Sequence, residues 1–118
     1  MWDVELTSTC EEWFDSLSRE ERKSVAFGLN LLEELGPALG RPYADTVKGS
    51  RFSNLKELRV QHEGRPYRLL YAFDPRRVAL VLLGGDKTGD ARWYERAIPK
   101  AERLLEEHLT QLGREKLE

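Results

Sequence analysis

Residues 55–83 read LKELRVQHEGRPYRLLYAFDPRRVALVLL and hold three apolar-rich runs, Leu55–His62, Pro66–Phe73 and Arg77–Leu83. The two separators, residues 63–65 and 74–76, have hairpin length and contain turn-forming glycine and proline. The sequence therefore predicts an antiparallel three-strand meander. The third run is apolar on both faces, which is typical of the best-covered strand of a sheet.

The residues before this stretch predict one strand and two helices. Apolar and polar residues alternate in Trp2–Thr7, which indicates a short edge-type strand. Thr9 and Glu12 have capping-box spacing and predict a first helix over Cys10–Leu17. A second pair with the same spacing predicts another helix over Arg19–Leu35, which ends at a Gly-Pro pair.

The remaining segments predict a loop and a C-terminal helix. Ala38–Asn54 is rich in glycine, proline and small polar residues and is expected to be an irregular connection. Asp90 can cap a last helical region, which Pro99 either kinks or divides into two helices. The order of elements predicts an α+β fold, in which a small antiparallel β-sheet carries an N-terminal helical hairpin and a C-terminal helix against one face.

The length and composition limit the class of protein. A chain of 118 residues can bury one core, so we expect a single domain over residues 1–118. No run of about 18 apolar residues and no signal-peptide pattern is present, so we expect neither a membrane protein nor a secreted one. Cys10 is the single cysteine, which fits a reducing cytoplasm and leaves no partner for a disulfide.

Charge is distributed unevenly along the chain. Residues 1–40 hold nine acidic and three basic residues, residues 41–87 five and ten, and residues 88–118 seven and six, with net charges of −6, +5 and −1. The total of −2 conceals a basic middle segment that can offer a cationic surface to a polyanion. The acidic helices are expected to serve as scaffold or to contact a protein partner.

Two arginines of the meander are predicted to lie together. Side chains alternate along a strand, so Arg59 and Arg68 are expected on the face away from the helices, where both would project into one open concavity with Lys87 at its rim. The alternative is that both arginines are solvated and pair with acids such as Glu57 or Asp74. Aromatic residues beside a basic sheet face are typical of single-stranded RNA binding. Three are expected here: Tyr43, Trp93 and Tyr94.

Other signals predict structure rather than chemistry. Residues 86–89 (DKTG) lack the glycine that a Walker A loop requires and are expected to form a strand-to-helix turn. His62 and His108 are too few and too far apart for a metal site, and we predict neither metal nor cofactor. We interpret His62 as a turn residue and His108 as a partly exposed residue near a helix end. Cys10 is expected to fill a small space in the core.

The order of these motifs resembles a known group of proteins. Residues 56–60 (KELRV) are followed by residues 67–71 (YRLLY) and then by residues 82–88 (LLGGDKT). This arrangement, which spans nearly the whole chain, resembles the RelE/ParE superfamily of toxins from bacterial type II toxin–antitoxin systems, and most closely its HigB-like, phage-derived branch. The resemblance implies the RelE-like fold.

The resemblance also implies a chemistry and a set of residues. Such toxins are implied to be metal-independent endoribonucleases that cut mRNA, usually in the ribosomal A site, through attack of the substrate's 2′-hydroxyl on phosphorus. Arg59 and Arg68 would clamp the scissile phosphate, and Tyr94 would supply a phenol for proton transfer. Lys56 and Lys87 would add charge, and one of them could act as the base. The predicted RNA contacts are Lys48, Arg51, Lys56 and Trp93.

Three functions stay open at this point. The first is a ribosome-dependent mRNA endoribonuclease, the second is a ParE-like inhibitor of DNA gyrase, and the third is a degenerate toxin that only binds its antitoxin and regulates its operon. The expected partners are an antitoxin with a helix-turn-helix domain and, for the first function, the ribosome and mRNA. No membrane partner is expected.

Overall fold

A five-stranded sheet forms the centre of the molecule. The computed structural model describes residues 1–117, with side-chain surroundings for residues 1–115. In chain order the elements are β1 (Val4–Leu6), α1 (Ser8–Ser16), α2 (Arg19–Leu35), a 3₁₀ turn (Gly36–Ala38), β2 (Ala44–Thr46), β3 (Lys56–His62), β4 (Arg65–Phe73), β5 (Ala79–Asp86) and α3 (Trp93–Leu117). The strand order is β1-β5-β4-β3-β2. The predicted α+β fold and its antiparallel meander of β3, β4 and β5 are confirmed.

Two short strands complete the sheet at its edges. β1 occupies the predicted edge position and runs parallel to β5. β2 lies at the other edge, antiparallel to β3, inside the segment that we expected to be irregular throughout. A strand of three residues is too short to show a period in the sequence, so only its pairing with β3 defines it.

The helix boundaries follow from their caps. α2 spans the predicted residues, and Ser18 and Glu21 form the expected capping box. The first helix begins earlier than predicted because Thr7, not Thr9, is its cap. Thr7 Oγ1 accepts a hydrogen bond from the N–H of Cys10 (3.1 Å) and donates one to the carbonyl of Leu82 (2.6 Å), which ties the start of α1 to β5. α3 is one helix that continues through Pro99, which resolves the two alternatives.

The helices cover both faces of the sheet, so the prediction that they pack against one face is wrong. α1 and α2 pack on the face that carries Leu58 and Leu69. α3 packs on the opposite face, against Leu70 and Leu82. β4 and β5 are apolar on both sides, and burial of both requires a layer on each. The predicted arginine face is therefore partly covered by α3.

Consecutive glycines of β5 allow both layers to approach closely. A Cβ atom at Gly84 would overlap the ring of Trp13 from α1. A Cβ atom at Gly85 would lie 2.5 Å from Nε1 of Trp93 in α3. Adjacent residues of a strand face opposite sides, so the glycine pair seats one tryptophan on each face.

A buried carboxylate closes the turn between β4 and β5. Asp74 accepts hydrogen bonds from the backbone N–H groups of Arg76 (2.8 Å) and Val78 (3.2 Å), and its Oδ2 lies 2.9 Å from Nε2 of His108 in α3. His108 is therefore an α3-to-turn contact rather than a residue near a helix end. Burial would raise the pKa of Asp74, but hydrogen bonds from His108 and Arg76 outweigh it and lower the pKa. None of the helices in the described part of the chain has the length and apolar character needed to cross a membrane.

We predict that Asp74→Asn destabilises the fold at neutral pH. The change removes a buried charge that Arg76 and His108 contact, and we expect a loss of about 1–3 kcal/mol in the free energy of unfolding. Because the pKa of Asp74 is lowered, its contribution is present above the ordinary value of 3.8 and is lost as pH falls through the folded-state value. Urea unfolding at pH 7 and pH 3 measures both effects.

The matched control is Glu5→Gln, which removes an exposed partner of Arg76 (2.9 Å). Exposed ion pairs contribute little, so this variant should unfold like wild type. Equal stability of Asp74→Asn and wild type at pH 7 would contradict the assigned role of the carboxylate.

Candidate functional site

Arg59 and Arg68 face each other across two strands. They are directly opposed in the register of β3 and β4, and like charges in that position repel each other. Glu57 is the next residue of β3 on the same face, and its Oε1 lies 2.8 Å from Arg59 Nε and 3.6 Å from Arg68 Nε. Its side chain is 7% exposed. A buried carboxylate thus holds the two guanidinium groups together, and their predicted juxtaposition is confirmed.

Asp45 of β2 adds a second carboxylate beside Arg59. Its Oδ2 accepts a hydrogen bond from Arg41 Nε (2.9 Å) and lies 3.4 Å from an Nη atom of Arg59. A hydrogen bond from the backbone N–H of the next residue lowers the pKa of Asp45, and the guanidinium groups of Arg41 and Arg59 lower it further. Arg59 therefore lies between two carboxylates, which fixes the direction of its fork.

Arg68 has an unused hydrogen-bond donor. Its Nη1 donates to the carbonyl of Tyr67 (3.0 Å), whereas its buried Nε has no hydrogen-bond partner among the described residues, since Glu57 Oε1 lies 3.6 Å away. The alternative that both arginines are solvated is only partly correct: they share Glu57, but Arg68 is 14% exposed. An unpaired buried donor is costly, and an anion between the two guanidinium groups would offset that cost.

Tyr94 and Lys87 lie beside this pair. Tyr94 is the second residue of α3, and burial raises its pKa, as does the adjacent Glu57, while Arg68 acts in the opposite direction. Lys87 Nζ lies 5.7 Å from the centroid of the Tyr94 ring, within the range of a cation–π contact. Asp86 does not neutralise Lys87, because its carboxylate contacts Thr88 and Arg65 instead.

Of the two other lysines predicted for the site, one lies beside it and one does not. Lys48 lines a cavity of about 420 Å³ together with Glu57, Arg59 and Tyr94. Lys56 precedes Arg59 by three residues in β3, so the two side chains face opposite sides of the sheet. Lys56 therefore lies on the α1–α2 face and is not part of the site.

Arg51 and Trp93 are occupied by structural contacts. Arg51 forms an ion pair with Glu106 of α3 (2.7 Å) and stacks on Phe52. Trp93 is 9% exposed and packs against Gly85, so little of its ring is available to a base. Of the predicted residues, the structure brings together Arg59, Arg68, Lys87, Tyr94 and Lys48.

Comparison with known proteins identifies the family. The family described as phage-derived protein Gp49-like (DUF891) matches residues 12–106. The chain belongs to this family. It is 48% identical over 107 residues to a Mycobacterium tuberculosis protein named toxin HigB3, covering 90% of this chain and 92% of that one. It is 46% identical over 111 residues to one named toxin HigB2, covering 92% of this chain but 54% of that one, so it spans about half the length of HigB2.

Solved structures share the fold of this HigB-like chain. The isolated Escherichia coli RelE toxin matches with a TM-score of 0.57 at 15% identity, covering 73% of this chain and 84% of that one. The archaeal RelE of the RelE–RelB complex from Pyrococcus horikoshii matches with a TM-score of 0.54 at 18% identity, covering 76% and 98%. The predicted likeness to HigB-like, phage-derived proteins is confirmed by the family and its relatives, and the solved structures confirm the predicted RelE-like fold.

Glu57 is the buried centre of the site. The sequence indicated it only as a partner of solvated arginines. The available signal was its position two residues before Arg59, since residues i and i+2 of a strand share a face. Asp45 was missed altogether because β2 was not predicted.

Two further residues were interpreted as structural. Cys10 is fully buried, and burial, with a smaller effect of Glu11, raises the pKa of its thiol to about 12, as expected of a core residue. His62 is not a turn residue: it is the last residue of β3, buried, with Nδ1 2.8 Å from Ser24 Oγ of α2.

We predict opposite changes in the pKa of Tyr94 in two variants. Glu57→Gln removes a negative charge that raises this pKa, so the pKa should fall. Arg68→Gln removes a positive charge that lowers it, so the pKa should rise. NMR titration of isotopically labelled tyrosine measures both, with the Tyr94 signal assigned by its loss in Tyr94→Phe. Shifts of the same sign in the two variants would show that Tyr94 does not lie between these groups.

Proposed function

We propose that this HigB-like chain is the toxin of a toxin–antitoxin system and acts in the cytoplasm as a ribosome-dependent endoribonuclease on mRNA. The observation that carries the proposal is the opposed pair of Arg59 and Arg68 over buried Glu57, with Tyr94 and Lys87 beside it. Family membership supports the toxin role, since two relatives carry the name toxin. An adjacent antitoxin is the proposed partner, as RelB is for RelE in the solved complexes.

The arrangement suits cleavage by the substrate's own 2′-hydroxyl. That oxygen forms a bond to phosphorus, and the bond from phosphorus to the 5′-oxygen of the next nucleotide breaks, which leaves a 2′,3′-cyclic phosphate and a 5′-hydroxyl. The outer N–H groups of Arg59 and Arg68 would stabilise the negative charge of the phosphorane. Glu57 would keep both guanidinium groups aligned before the substrate arrives.

Proton transfer requires an acid and a base. Tyr94, which like any tyrosine is protonated at neutral pH and whose pKa burial raises further, would donate a proton to the departing 5′-oxygen. Lys87 beside the ring would stabilise the phenolate that forms. Two groups of the site can accept the 2′-hydroxyl proton, Glu57 and Lys87.

We predict that Arg59→Ala and Arg68→Ala each lower the cleavage rate by roughly 10²–10³-fold, the usual cost of removing one donor to a developing charge. The variants would be induced in cells, and transcript 5′ ends would be mapped against wild type. Arg103→Ala, an exposed arginine of α3, is the matched control and should cleave like wild type.

The same experiment separates the other functions. Growth arrest that is unchanged in both arginine variants would overturn the proposed site. Cleavage that persists when translation is blocked would remove the ribosome from the proposal. Defective supercoiling without new RNA ends would indicate gyrase inhibition instead.

We further predict that variants of two residues identify the base. If Glu57 accepts the proton, Glu57→Gln lowers the cleavage rate and Lys87→Arg cleaves like wild type, because only the charge of Lys87 is then needed. If Lys87 accepts the proton, Lys87→Arg lowers the cleavage rate as Lys87→Met does, because a guanidinium group stays protonated. Single-turnover cleavage on programmed ribosomes measures all three variants. Wild-type rates in both Glu57→Gln and Lys87→Arg would exclude both residues as the base.

A further inference from the structure

A second cavity adjoins the arginine pair, and Tyr94 is not among the residues that line it. It has a volume of about 540 Å³ and lies where the edge of β3 meets α2. We name it the edge cavity, and its principal lining residues are Ser24, Phe27, Tyr43, Arg59, Gln61 and Arg68. Its volume is typical of sites for small organic ligands, roughly 300–1,000 Å³.

The edge cavity is unusual for its exposed aromatic side chains. Phe27 is 60% and Tyr43 45% exposed. Within residues 1–115 the large hydrophobic side chains with such exposure are Met1, Phe27, Leu35 and Tyr43, and two of the four line this one cavity. Gly28 brings α2 close to β3, since a Cβ there would lie 2.9 Å from Val60 Cγ2. The helix and the strand thus hold Phe27 and Tyr43 around one space.

The open edge of β3 explains why the space is free. The pairing of β2 with β3 ends at Leu58, and one further hydrogen bond joins the N–H of Arg59 to the carbonyl of Tyr43 (2.7 Å). Gln61 lies beyond Ala44, the first residue of β2, and lines the cavity together with Ser24, whose Oγ lies 2.8 Å from His62 Nδ1 and keeps further hydrogen-bonding capacity. The cavity therefore offers aromatic surface beside amide and hydroxyl groups that donate and accept hydrogen bonds.

Arg59 lines both the edge cavity and the cavity of about 420 Å³ that Lys48 and Tyr94 line. A phosphate bound by Arg59 would therefore adjoin both cavities. A phosphodiester carries two nucleosides, so each cavity would receive one of them. The edge cavity has two arginines and no carboxylate among its lining residues, which suits the nucleoside of an anionic strand.

We propose that the edge cavity is a nucleobase subsite, in which a base next to the scissile phosphate stacks on Tyr43 and Phe27 and meets Gln61 and Ser24 at its polar edge. The inference rests on the proposed function, because RNA must reach the arginine pair for a base to enter. Stacking on aromatic side chains is tolerant of sequence, whereas Gln61 and Ser24 would give the subsite its base preference.

The test uses a dinucleotide with 2-aminopurine and a 2′-deoxy sugar at the attacking position, which binds but cannot be cleaved. Fluorescence quenching on titration with the full chain gives the affinity. We expect wild type to quench the probe and Tyr43→Ala and Phe27→Ala to bind it roughly five- to 150-fold more weakly. Tyr43→Phe should retain binding, and Leu35→Ala is the control for loss of an exposed apolar side chain (46% exposed) and should bind like wild type. An abasic dinucleotide should bind equally to wild type and Tyr43→Ala.

Mapping of cut sites in cells gives an independent readout. Gln61→Ala should change the nucleotide composition beside the cut and Tyr43→Ala should lower the amount of cleavage, whereas Leu35→Ala should do neither. Absence of wild-type quenching, or equal binding by wild type and both alanine variants, overturns the subsite. Weakened antitoxin affinity with unchanged probe binding also overturns it and assigns the cavity to a protein partner. If probe binding depends on Tyr43 but no RNA is cleaved in cells, the subsite is retained and the proposed function is contradicted. If RNA is cleaved equally by wild type and Tyr43→Ala, the proposed function is retained and the subsite is contradicted.

Discussion

The positions of α1 and α3 over the sheet depend on two consecutive glycines of β5. A strand directs neighbouring side chains to opposite faces, so Gly84 and Gly85 open one space on each face of β5. Trp13 fills the first and Trp93 the second, which fixes α1 and α3 at the same height on the sheet. The next residue of α3 is Tyr94, and its place beside Glu57 follows from the seating of Trp93. The packing of Trp93 against Gly85 thus places the Tyr94 phenol at the site.

Electrostatics then determines what the site can hold. Two arginines directly opposed on neighbouring strands repel each other, and one buried carboxylate is not enough to satisfy both. Glu57 hydrogen-bonds Arg59 and leaves the Nε of Arg68 without a partner among the described residues. The pair is therefore aligned in advance but incompletely satisfied, which favours an anion with several acceptor oxygens. A phosphate group meets that requirement.

The sequence alone predicted those elements whose signals lie within a few neighbouring residues. The meander follows from three apolar runs and two short turns, α2 from the capping box at Ser18, and the arginine pair from strand alternation. It was insufficient where a partner far along the chain decided the outcome. Thr7 caps α1 while bonded to Leu82 O, 75 residues away, and β2 exists only through β3. The layer on each face required knowledge of tertiary packing.

The chain has a net charge of −2, and acidic residues surround its arginine pair, so attraction of charge alone does not account for action on RNA. Glu57 and Asp45 neutralise much of the charge of the arginines, so the site should attract a bare phosphate backbone only weakly. Recognition would then depend on bringing one phosphate into register with the guanidinium forks, and on a surface that holds the neighbouring nucleosides. A ribosome that presents mRNA in a fixed conformation supplies the first condition, and the edge cavity with Tyr43 and Phe27 supplies the second. Such a protein would discriminate by geometry rather than by net charge.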